Sequence, residues 1–127
     1  DKVGMARNRE GLTEAIGQIQ ELQKQFWQDL ALTGSADDFN KQLEQANRLG
    51  DYLELGELMA RDALMREESC GGHFREEHQT EDNEARRDDD KFCYAAGWEF
   101  QGVGEEPVLH KEPLEFNEVP LTTRSYK

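Results

Sequence analysis

Apolar residues at Leu12, Ile16, Ile19, Leu22, Phe26 and Leu30 recur in steps of three and four, the spacing that lines one face of a helix. Asn8 stands just ahead of them and can cap a first turn, so the pattern predicts a helix from about residue 9 to about residue 31. The stretch "LTGSADD" then supplies a stop and a start. Gly34 can take the left-handed conformation after a helix, and Ser35 with Asp38 three residues on resembles a capping box. Phe39, Leu43, Ala46, Leu49 or Gly50, Leu53, Met59 and Ala63 continue the helical period, predicting a second helix over roughly 36 to 67, with Gly50 and Gly56 as weak points rather than breaks. The expected fold class is mainly α: a long antiparallel helical hairpin, followed by an extended arm and a C-terminal β-hairpin.

Two helices bury a single seam, whereas a small helical domain normally needs a third element to close its core. Trp27, Tyr52, Leu55 and Leu58 lie off the main stripe and are candidates for covering such an element, or for self-association without it. The opening "DKVGMARN" has nothing before it to initiate a helix and reads as a cut end. The bundle is therefore expected to be a truncated three-helix, spectrin-repeat-like one.

From Ser69 the helical period stops. "CGGHFREEHQTEDNEARRDDDK" has no apolar face and reads as a charged arm. "FCYAAGWEF" and "EPVLHKEPLEF", rich in aromatic and β-branched residues and separated by "QGVGE", predict two strands of a hairpin, which Pro107, Pro113 and Pro120 restrict to edges and ends. A lone hairpin is marginal and needs something to pack on. The chain divides into residues 1–68, helical, and 69–127, the arm and hairpin tail of the same domain.

Charge narrows the partners. With 28 acidic against 15 basic residues and a net charge of −13, the chain lacks the cationic surface that a polyanion requires, so nucleic acid is not an expected partner. No apolar run is long enough to span a bilayer, and no signal peptide is visible. Cys70 and Cys93 do not make a disulfide framework and are expected as thiols. An apolar fraction of 35% is low for a chain that buries its own core, which hints that part of the stabilising surface belongs to a neighbour.

Candidate chemistry is sparse. Cys70, His73, His78, Cys93 and His110 are natural zinc ligands, but there is one Cys-x-x-His pair and no second, so packed cysteine and hydrogen-bonded histidines are the better reading. A Cys70–His73 nucleophile pair is disfavoured because a cysteine at a helix C-terminus faces the negative end of the dipole. "CGGH" is too short to cradle a phosphate, and no dinucleotide or P-loop spacing occurs. Glu76 and Glu77, or Asp88 to Asp90, read as solvated charge rather than acid/base pairs, and Arg86 and Arg87 beside them as an ion-pairing strip. We assign no catalytic, cofactor-binding or metal residue. One reading of the whole is a free-standing helical interaction module with an acidic arm.

"LMREESCGGHFREEHQTEDNEARRDDDKF" favours another. It resembles the Arg-x-Glu-Ser-Arg-Gly-Ala-His-x-Arg segment, followed by an acidic stretch and Arg-Asp-Asp, of the C-terminal region in the flavoprotein subunit of succinate dehydrogenase and fumarate reductase. Arg66, Glu68, Ser69, Gly71, His73 and Arg75 fall on the first half, and Arg87, Asp88 and Asp89 on the second. "GMARNREGLTEAIGQIQEL", "LGDYLELGELMARDAL" and the ending "EPLEFNEVPLTTRSYK" are similar to the family's helical turn, third helix and terminal arginine-tyrosine tail. Cys70 stands where many members have arginine, and Gly72 where they have alanine.

The resemblance implies a bacterial parent enzyme that interconverts succinate and fumarate. Electrons would pass through FAD to an iron-sulfur subunit and a membrane quinone, on the cytoplasmic side of the inner membrane with a membrane anchor. It also implies that the FAD-binding and capping domains lie upstream. This piece would be non-catalytic, with Arg66, Glu68, Ser69, Gly71, Gly72, His73, Arg75, Arg87, Asp88 and Asp89 as interdomain docking residues and His73 as a hydrogen-bonding strut.

Overall fold

The computed structural model describes residues 2–35, 37 and 39–122. Two long helices, α1 (Arg9–Asp29) and α2 (Lys41–Met65), pack against each other as a hairpin. A two-residue strand, β1 (Ala6–Arg7), precedes them and pairs in parallel with β2 (Phe74–Arg75) in the arm. A single turn of helix, α3 (Asp89–Phe92), leads into an antiparallel pair, β3 (Tyr94–Glu99) and β4 (Val108–Pro113).

α1 begins as its sequence predicts: the Asn8 side chain accepts from the Gly11 N–H at 2.8 Å, which satisfies one of the orphan donors of the first turn. α2 does not begin at residue 36. Phe39 and Asn40 are outside the helix, and the Asn40 side chain accepts from the N–H groups of Gln42 and Leu43, so the cap sits five residues beyond Ser35. Asn40 Nδ2 also donates to the Thr33 carbonyl, tying the cap across the turn. Gly34, at φ 116°, takes the left-handed conformation expected of it, while Asp38 of the anticipated capping box lies outside the described residues. α2 ends at Met65 because Arg66 turns extended (φ −80°, ψ 91°) to enter the arm.

The buried seam is narrower than the apolar stripe. Its buried residues are Leu12, Ala15 and Phe26 on α1 and Ala46, Ala60 and Ala63 on α2. Small residues let the helix axes approach, and Gly50 lies against the same seam: a Cβ there would sit 3.4 Å from the Phe26 ring, in ordinary van der Waals contact. Leu22, Leu30, Leu43, Leu49 and Met59 are on the predicted stripe and remain exposed, as do the off-stripe Trp27, Tyr52 and Leu55. Leu22, Phe26, Leu30, Leu49 and Leu53 line an open apolar groove of about 350 Å³ at the far end of the hairpin.

The β-hairpin packs on the last turns of α2. Trp98 Nε1 donates to Asp62 Oδ1 at 2.9 Å, Arg61 pairs with Glu57 and Glu106, and the Tyr94 hydroxyl reaches Met65 Sδ at 3.6 Å. The Tyr94 ring lies beside both Arg66, with Cζ 5.9 Å from its centroid, and Lys111, with Nζ at 4.5 Å.

The opening residues pair with the arm. β1 holds Ala6 and Arg7 in register with Phe74 and Arg75, and the Arg7 carbonyl accepts the Glu76 N–H at 2.8 Å. Two-residue parallel pairing has no sequence signature, which is why the arm read as a free connector.

Candidate functional site

The arm folds back onto the end of α2 through polar groups that are almost wholly buried: Glu68, Ser69 and Arg75 are 2%, 0% and 1% exposed. Such burial is tolerated only when every group is partnered. Arg75 Nη1 donates to the Ala63 and Leu64 carbonyls at 2.8 and 3.1 Å, and its Nε to Glu77 Oε2 at 3.2 Å. The guanidinium thereby caps carbonyls that a helix C-terminus leaves without intrahelical donors, at the negative end of its dipole.

Ser69 Oγ accepts the Arg75 N–H at 2.8 Å and donates to the Arg75 carbonyl at 3.2 Å, while the Ser69 N–H reaches the Arg86 carbonyl at 2.9 Å. Glu68 accepts from Arg66 Nε at 2.8 Å and from the Asp88 N–H at 2.9 Å, joining the two halves of the arm. Arg66 also donates from Nη2 to the Phe92 carbonyl at 2.9 Å, and its own ionisation is favoured by Glu68 against the opposing effect of burial.

Between these groups, Cys70 and His73 exchange two backbone hydrogen bonds of 2.8 and 3.0 Å around Gly71 and Gly72. Gly71 sits at φ 58°, the positive value that primed two-residue hairpin turns require at their first central position. Both glycines face outward: a Cβ built at either meets nothing within 4 Å. His73 uses both ring nitrogens, with Nε2 2.8 Å from the Arg66 carbonyl and Nδ1 3.0 Å from Arg7 Nη1. Burial holds its pKa below the usual histidine value, and the guanidinium groups of Arg7, Arg75 and Arg66 act in the same direction. Glu77 sits below the usual carboxylate range: burial would raise it, but the Arg9 N–H and the Arg75 side chain outweigh that.

The second half of the motif lies beside the first. Arg87 donates from Nε and Nη2 to Asp89 Oδ1 at 3.0 and 2.6 Å and from Nη1 to the Thr122 carbonyl at 3.0 Å, so the returning tail is anchored here. Asp88 Oδ2 pairs with Lys91 at 2.9 Å. Arg86 to Phe92, with Glu67 and His78, line a mixed-charge groove of about 530 Å³.

Arg66, Glu68, Ser69, His73 and Arg75 thus form one internally bonded cluster, Gly71 and Gly72 form its exposed turn, and Arg87, Asp88 and Asp89 form a strip tied to it through Glu68. Arg7, which the sequence did not single out, completes the cluster. The remaining candidate metal ligands are dispersed: His78 lies 3.4 Å from Arg86, Cys93 lies against the Leu114 carbonyl, and His110 pairs with Glu99 at 2.6 Å. Among the described residues no group of three or more histidine, cysteine and acidic side chains is placed to hold a metal ion. The glycine turn is two residues long and opens no helix N-terminus.

Across residues 1–126 the chain matches the family model described as the fumarate reductase flavoprotein C-terminal region. The chain belongs to that family. No curated protein matches it. Among solved structures it is similar to a mutant FrdA chain of E. coli quinol fumarate reductase, with a TM-score of 0.78 and 27% identity over 94% of this chain. It is also similar to a chain of a quinol-fumarate reductase with menaquinol molecules, at 0.75 and 27% over 92%. The chain spans about one fifth of the length of those two chains, 20% and 19% respectively. Among the described residues no helix is long and apolar enough to cross a membrane.

Proposed function

We propose that this fumarate reductase flavoprotein C-terminal domain is a packing domain of a larger flavoprotein subunit that interconverts succinate and fumarate. In that subunit FAD is held by upstream residues, and electrons pass to an iron-sulfur subunit and a quinone held by a membrane anchor, on the cytoplasmic side of a bacterial inner membrane. In this reading the described residues of this chain serve packing and the catalytic side chains lie elsewhere in the subunit. The chain seats against the FAD-binding and capping domains through the outward Gly71–Gly72 turn and the Arg87 to Asp89 strip.

One observation carries the reading: the ordered motif from Arg66 to Asp89 folds into a cluster whose buried charges are all satisfied within the chain, leaving two bare glycines as its outermost backbone. A buried polar network with its partners in place fixes one geometry, as a docking face requires. Gly72 has open space and a φ outside the left-handed region, so nothing among the described residues asks for glycine there, and close approach of another backbone would account for it. The same pairing speaks against a free acidic module, whose arm would offer unpaired charge to a basic partner.

The test is an immunoblot of native extract, separated into membrane and soluble fractions and probed with antibody against this chain. A band several times larger than 14.6 kDa, flavin-fluorescent and in the membrane fraction, is expected. A soluble band near the size of the chain itself overturns the proposal.

A further inference from the structure

His73 joins three separate segments, and the chemistry of its partners fixes its protonation. The Arg66 carbonyl can only accept, so Nε2 carries the proton and donates; the Arg7 guanidinium can only donate, so Nδ1 must be the bare, accepting nitrogen. The cluster is therefore built for the neutral imidazole in one tautomer. Protonating Nδ1 would set two donors and two positive charges 3.0 Å apart across the contact between β1 and the arm.

The Arg66 carbonyl favours a protonated ring, but burial and the neighbouring charges oppose it and prevail. From the end of α2 comes Arg66, whose carboxylate partner Glu68 is already engaged with it; from β1 comes Arg7; from β2 comes Arg75, with Glu77 beyond it; and from its own turn comes the Cys70 backbone. The charges acting most directly on the ring are guanidinium groups, which oppose a second positive charge and agree with its lowered pKa.

We propose that His73 is an acid-sensitive latch: neutral, it clamps the N-terminal strand to the arm and to the end of α2, and protonated, it releases β1 from β2. The inference stands whether or not the chain docks on a flavin domain. The sign follows from proton linkage. A histidine whose folded pKa lies below its unfolded value of about 6.5 contributes fully above that value. Its contribution is lost as pH falls from there towards the folded pKa. His78 is also lowered, by burial and by Arg75 and Arg86, so it titrates with the same sign and must be separated experimentally.

The experiment is amide hydrogen exchange on the 127-residue chain, corrected for intrinsic rates, between about pH 7.5 and about pH 5.5. The reporter is the Glu76 N–H, which donates to the Arg7 carbonyl. Its protection is expected to fall by up to about tenfold, the limit for one proton over one pH unit below 6.5, while the β3–β4 ladder is unchanged. His73→Gln keeps a donor and an acceptor but cannot titrate, so protection at Glu76 should persist in acid. His78→Gln should leave the wild-type response in place. Loss of protection in His73→Gln equal to wild type, or no loss in wild type, overturns the proposal. Imidazole nitrogen shifts of the wild-type chain provide a check that needs no variant: a neutral Nδ1–H tautomer overturns it as well.

Discussion

Arg75 donates from Nη1 to the carbonyl oxygens of Ala63 and Leu64 at 2.8 and 3.1 Å, so a charge from the arm caps the helix that precedes it. Arm, helix end and buried polar cluster meet in that one side chain.

Removing it leaves two carbonyls short of a partner and a cavity where a 1%-exposed side chain stood. Arg75→Ala is expected to destabilise the chain by roughly 3 kcal/mol or more, the sum of unsatisfied acceptors and lost packing. Arg75→Lys should recover part of that, because an ammonium can reach one carbonyl but not repeat the planar fork. Urea unfolding followed by circular dichroism reads both, and an Arg75→Ala chain within 1 kcal/mol of wild type (about the worth of one ordinary hydrogen bond) refutes the capping role.

The two glycines of the turn should separate. Gly71→Ala is strained by its φ of 58° and is expected to cost about 1 kcal/mol in the isolated chain. Gly72→Ala should fall within about 0.5 kcal/mol of wild type there, since its Cβ enters open space. In the intact flavoprotein the order should reverse in one respect: Gly72→Ala lowers flavin content or subunit assembly. Normal assembly and full flavin occupancy of that variant would remove the close-approach argument.

The β-hairpin depends on α2. Trp98→Phe deletes the indole bond to Asp62 and is expected to cost about 1 kcal/mol, as for a half-exposed bond to a charged acceptor. A double-mutant cycle with Asp62→Ala should give a coupling energy of the same order. Zero coupling would mean that the hairpin is held by the Tyr94 ring and the Arg61 pairs alone.

The exposed apolar helix faces make a solution prediction. Trp27 is 77% exposed, and Tyr52, Leu55 and Met59 are more than half exposed, on a chain that is otherwise strongly anionic. Taken alone the chain is expected to self-associate, increasingly so in high salt, where screening weakens like-charge repulsion. Trp27→Ser with Leu55→Ser should restore a monomer by light scattering; a wild-type monomer at every salt concentration would contradict the expectation.

Much of the fold was legible because its signals are local. The three-four spacing from Leu12 to Leu30 and the Asn8 cap located α1, and the aromatic runs around "QGVGE" located β3 and β4. The start of α2 was misplaced because Ser35 and Asn40 are both plausible caps, and only the tie from Asn40 to Thr33 across the turn decides between them. The motif from Arg66 to Asp89 marked the site residues by resemblance, yet their bonding was hidden. Arg75 read as an interdomain docking residue, and its burial within the chain depends on carbonyls ten or more residues earlier that carry no side-chain signal. Arg7 was invisible for the same reason: its contacts to His73 and Glu76 exist only once both helices have brought the chain back on itself.

That return path has a kinetic consequence. Ala6 can pair with Phe74 only after α1 and α2 have formed and docked, since the two partners lie at opposite ends of the helical hairpin in sequence and at the same end in space. Contacts of such sequence separation form late, because their loop-closure entropy must be met before they reward it. The arm should therefore be the last part of the chain to order during refolding and the first to let go, leaving a helical hairpin that assembles early and waits for its clasp.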